Sequence, residues 1–81
     1  MQTISEHAQE FLNLEEITQV DITDLRSLTW QAITGAGISA DLMSVIPEKT
    51  GINKKLFLDW LSEEADLLEK QLIKIAEYFT S

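Results

Sequence analysis

The chain contains no cysteine, which excludes a disulfide staple and a thiolate metal site alike. One proline and three glycines in 81 residues leave few points where the backbone is forced to turn, so helices can run long. A single histidine, His7, has only Glu10 at helical spacing beside it, two ligands where a metal site needs three or four. It is therefore expected to face solvent in a polar first turn, with no cofactor or metal implied. No apolar run approaches the ~20 residues of a membrane span, and the segment after Met1 lacks the basic and apolar regions of a secretory signal. These absences predict a cytoplasmic protein with no membrane segment, stabilised by helix packing and, as is common at this size, by oligomerisation.

Basic residues are scarce as well: six against fourteen acidic ones, a net charge of -8. The imbalance sits in the first 48 residues, where eight carboxylates face Arg26 alone, while the remainder is nearly balanced. A field of that sign repels phosphate backbones and favours a basic partner. A hydrophobic content of 44% nevertheless argues for a folded chain, and 81 residues allow one domain spanning 1–81.

Helical periodicity dominates what is present. Thr3 followed by Glu6 forms a capping box ahead of Ile4, Ala8, Phe11 and Leu12. Asn13 to Ile17 reads as a further helical turn or an extension of the first helix. Ile17 to Thr23 is β-branched but has no second strand to pair with, and reads as a connection. Asp21 is expected to cap a helix through Thr34, stopped by Gly35. Ser39 is expected to cap a short helix that Pro47 either ends or restarts. Asn53 caps a final helix in which no Gly or Pro intervenes before Phe79. The fold class is all-α, a small bundle of four or five helices with a long C-terminal helix. On that last helix Leu61, Ala65, Leu68, Leu72, Ile75 and Phe79 recur at a 3.5-residue period, a coiled-coil-like seam. Leu68, Leu72, Ile75 and Phe79 are the expected self-association residues of a homodimer.

Chemistry-bearing constellations are sparse. Glu15 with Glu16, and Glu63 with Glu64, are sequence neighbours that splay apart on a helix rather than converge on one proton. Gly35 and Gly37 precede a helix start but lack the dinucleotide and P-loop patterns. Ser39 at a helix start in an acidic helical chain resembles the modified serine of acyl and peptidyl carrier proteins, which implies phosphopantetheine at Ser39. That family usually has Asp or His before the serine and Leu after it, whereas Ile38 and Ala40 stand here. From Lys49 to Leu67, the residues Lys49, Thr50, Gly51, Ile52, Lys55, Leu56, Leu58, Trp60, Ala65, Asp66 and Leu67 resemble a helix-turn-helix. With one residue inserted near Glu63, they also resemble a unit of a helix-hairpin-helix-like repeat family of unknown function. The resemblance implies nucleic-acid contact through Lys49, Lys54 and Lys55.

Against that implication, the helix after the turn offers Asp59, Glu63, Glu64 and Asp66 where base-reading side chains would stand. The expectation is therefore a non-enzymatic interaction module that binds another protein with a basic surface. Its acidic face is Glu6, Glu10, Glu15 and Glu16. Nucleic-acid binding and a carrier role are the alternatives.

Overall fold

The computed structural model describes residues 3–35 and 42–80. Five helices follow in chain order: α1 (Ile4–Leu12), α2 (Gln19–Gly35), α3 (Leu42–Thr50), α4 (Lys54–Leu61) and α5 (Glu69–Thr80). The molecule is an all-α bundle with no strand among the described residues. α1 lies against α5 and α2, α3 against α5 and α4, and α2 against α4. Phe11, Leu25, Ile46, Phe57, Trp60 and Ile75 meet in the fully buried centre. Burial of side chains of this size contributes about 1.5 to 3 kcal/mol each, the main stabilising effect in a chain without covalent cross-links.

Each helix start has a local cause. Thr3 Oγ1 accepts the Glu6 N–H at 3.1 Å and donates to Glu6 Oε1 at 3.3 Å, as the capping box requires at α1. Asn53 Oδ1 accepts the Leu56 N–H at 3.2 Å at the start of α4. α2 begins earlier than expected, and its cap is Thr18 rather than Asp21. Thr18 Oγ1 accepts the Asp21 N–H at 3.3 Å, and Asp21 Oδ2 accepts the Thr18 backbone N–H at 2.9 Å and its hydroxyl at 2.8 Å. Asp21 is thus the third-residue half of a reciprocal box, a role an acidic residue fills as readily as the cap.

Several ends also differ from expectation. Asn13 closes α1, donating its N–H to the Glu10 carbonyl at 3.0 Å, and residues 14–18 form a connection without the additional turn. Gly35 is the last residue of α2, and its φ lies outside the left-handed region. Pro47 lies buried inside α3, where it removes one intrahelical donor without stopping the helix. The actual stop is at Gly51, with φ 75°. There the Ile52 N–H reaches back to the Pro47 carbonyl at 3.1 Å, the long bond of a Schellman turn, and Ile52 is buried behind it.

The largest correction concerns the long C-terminal helix, which does not exist as one element. α4 ends at Leu61, and Glu63 adopts φ 65° in a second Schellman turn. The Glu63 N–H bonds the Trp60 carbonyl at 3.1 Å and the Glu64 N–H bonds the Asp59 carbonyl at 2.8 Å. α5 starts after Leu68, whose backbone N–H donates to Gln71 Oε1 at 2.8 Å. A continuous helix from Asn53 to Phe79 would be about 40 Å long at 1.5 Å per residue. The whole molecule is 35 Å along its longest axis. Breaking the helix lets α5 fold back on α1, burying Leu72, Ile75 and Ala76 within the same chain.

Candidate functional site

Glu6 and Glu10 stand one turn apart on the exposed side of α1, and Glu15 and Glu16 are exposed in the connection that follows. Leu12 and Leu14, 37% and 39% exposed, lie in the same stretch of chain as Glu10, Glu15 and Glu16. The sequence reading had placed Leu12 on the inward face, but the residues that α1 buries are His7, Ala8 and Phe11. The four predicted acidic residues thus occupy one exposed segment of chain, interrupted by two accessible leucines.

His7 departs from expectation: it is buried, its ring centroid is 6.4 Å from that of Phe11, and Nε2 is without a hydrogen-bond partner among the described residues. The reason is registry. Residue 7 falls beside Phe11 on the helix face that α5 and α2 cover, so packing overrides the polarity of the side chain. Asp21 is held below its ordinary carboxyl pKa of 3.8, first by the Thr18 backbone N–H, then by the Thr18 hydroxyl, with His7 adding a smaller attraction against a slight opposing effect of burial.

The predicted self-association residues are split. Leu72 and Ile75 are buried in the core and Phe79 packs against it, whereas Leu68 is 61% exposed. The first three therefore face inward within one chain, and the seam does not offer a surface to a second copy. Its 3.5-residue period reflects the contact of α5 with its own bundle.

Lys49, Lys54 and Lys55 are exposed around the α3–α4 turn. Lys54 Nζ donates to Ser44 Oγ at 2.9 Å, and Lys55 Nζ bonds Asp59 Oδ2 at 3.2 Å one turn along α4. The inward side of α4 is taken by Phe57 and Trp60. Ser39 lies outside the described residues. An open cleft of about 730 Å³ is lined by Leu12, Lys49, Lys74, Glu77, Tyr78 and Thr80. Neither of its two lysines forms an ion pair with a described residue. No group of three or more His, Cys, Asp or Glu side chains capable of holding a metal occurs among the described residues. No helix among them is long and apolar enough to cross a membrane.

The residue that sequence reasoning passed over is Arg26. It is buried, its Nε donates to the Trp60 carbonyl at 2.7 Å, its guanidinium lies 5.4 Å from the Trp60 ring centroid, and its NH1 is 3.6 Å from Glu63 Oε1. A cation placed there meets the negative end of α4 and one of its uncapped carbonyls. The available signal was its isolation, as the only basic residue among the first 48. No protein-family model, curated protein or solved structure matches this chain.

Proposed function

We propose that the protein is a non-catalytic interaction module whose α1 edge binds a partner presenting basic and apolar side chains. The observation that carries the reading is the exposed run from Glu10 to Glu16, in which Leu12 and Leu14 are accessible among three carboxylates. Apolar anchors within a charged rim are the usual anatomy of a protein interface. The charge steers a cationic partner inward and excludes an anionic one, and the leucines give the contact area that opposes dissociation. The net charge of -8 strengthens the long-range attraction.

The test uses a synthetic amphipathic peptide with a lysine face and a leucine face. Reversing Glu10, Glu15 and Glu16 to lysine should weaken binding at least about tenfold, or about 1.4 kcal/mol, and flatten its salt dependence. Leu12→Ser with Leu14→Ser should weaken binding while leaving the salt dependence in place. Unchanged affinity in both variants rejects the α1 edge as the docking site.

A second reading, contact with nucleic acid through Lys49, Lys54 and Lys55, draws support from the α3–turn–α4 arrangement that exposes these three lysines around Gly51. Titration with duplex DNA at low salt separates the two. Absence of binding below about 100 μM leaves even ordinary non-specific affinity unmet.

A further inference from the structure

α2 carries a second face that the bundle leaves uncovered. Val20, Thr23, Ser27, Trp30 and Thr34 are all exposed, with Val20 at 68% and Trp30 at 47%. They follow one another at steps of three, four, three and four residues, the 3.5-residue spacing of a helix-pairing seam. The inward side of the same helix is distinct, formed by Leu25, Arg26 and Thr29. No residue of the outer seam is charged. Asp41 is the only charged residue between Ser27 and Pro47, in a chain where one residue in four is charged. Aromatic enrichment with charge depletion marks the centre of protein interfaces.

We propose that two copies of the chain pair through this outer face of α2, antiparallel, about a two-fold axis at Ser27. Charge identifies the occupant. Two copies each carrying -8 repel wherever their carboxylates meet, and this face is where they can approach with least opposition. Shape points the same way. The face has one large side chain, Trp30, and small hydroxyl side chains at Thr23, Ser27 and Thr34, so it holds both a knob and the hollows to receive it. With the axis at Ser27, Trp30 of each copy lies over Thr23 of the other, Val20 meets Thr34, and the two small serines allow close approach at the crossing. The proposal is independent of the α1 edge. It assigns pairing to a different helix from the C-terminal seam that the core consumes.

The face is one helix long, about 26 Å at 1.5 Å per residue, so the pair is weak and its mass must be followed from about 10 μM to about 1 mM. Light scattering of the intact chain should show the weight-average mass rising toward twice the monomer value over that range. Ser27→Asp and Ser27→Lys each place like charges against themselves at the axis and should both stay monomeric with unchanged helicity. An equimolar mixture of the two should recover pairing, because opposite charges then meet. Trp30→Ser should weaken pairing at least about tenfold while Trp60 fluorescence, from the buried indole, reports an intact core. A wild-type chain that stays monomeric to about 1 mM overturns the proposal, as does a dimer that neither Ser27 variant disturbs. A mixture of the charged variants that fails to pair overturns the two-fold arrangement at Ser27.

Discussion

α3 and α4 end in the same turn with different residues at its centre. Behind α3 the left-handed position is Gly51 at φ 75°, and behind α4 it is Glu63 at φ 65°. A side chain in that conformation costs about 1 to 2 kcal/mol, which glycine avoids. The α3 stop is therefore local and written in the residue type. The α4 stop runs against local preference, and something distant has to offset it. Arg26 supplies that contact from α2, with its 2.7 Å bond to the Trp60 carbonyl in the final turn of α4. Its approach to Glu63 is the weaker half of the arrangement, since the Glu63 side chain is 73% exposed and ion pairs in such settings contribute about 0 to 1 kcal/mol.

The comparison breaks most decisively at Arg26. Arg26→Ala should destabilise the fold by about 3 kcal/mol, combining a charge-assisted hydrogen bond with the guanidinium–indole contact. Urea denaturation checks this, and a loss under about 1 kcal/mol would mean that α4 stops without help from α2. Gly51→Ala should cost about 1 to 2 kcal/mol in the same experiment. An added Cβ at Gly51 meets no atom within 4 Å, so the whole loss is conformational and a crowding explanation is unavailable.

Glu63→Gly sharpens the comparison in the opposite direction. It relieves the left-handed penalty and forfeits an exposed ion pair, leaving a net gain of about 0.5 to 1 kcal/mol, seen as a higher Tm. A fall in Tm would show that the Arg26–Glu63 contact outweighs the strain. The smallest effect is at Asp21, which fixes the start of the helix carrying Arg26. A carboxyl held below its unfolded pKa contributes stability that is complete above that value and is lost as pH falls through the lower folded one. Asp21→Asn should therefore be less stable than wild type near neutrality, and the difference should shrink as pH falls below about 3.8. A difference that stays constant with pH would assign the effect to hydrogen-bond geometry rather than ionisation.

Much of the fold was readable residue by residue. Thr3, Asn53 and Gly51 act through side chains or backbone freedom within four residues of themselves, and each appears where the chain alone predicts it. The candidate edge was half readable: exposure of Glu6, Glu10, Glu15 and Glu16 follows from their charge, but the accessibility of Leu12 does not. Leu12 has the residue type of a core position, and its exposure depends on how far α5 reaches along α1. His7 is the reverse case, a polar residue buried because its helix registry places it beside Phe11.

By itself, the amino-acid sequence determined that this chain is all-helical, acidic toward its N-terminus and without covalent cross-links, because periodicity, charge and cysteine content are properties of single segments or of simple sums. Tertiary structure alone decided that the stretch from Asn53 to Phe79 becomes two helices. No residue in it forbids a continuous helix. The break is favoured because it returns Leu72, Ile75 and Ala76 to the core that Phe57 and Trp60 began, and because Arg26, 34 residues before Trp60, is there to meet the exposed end of α4.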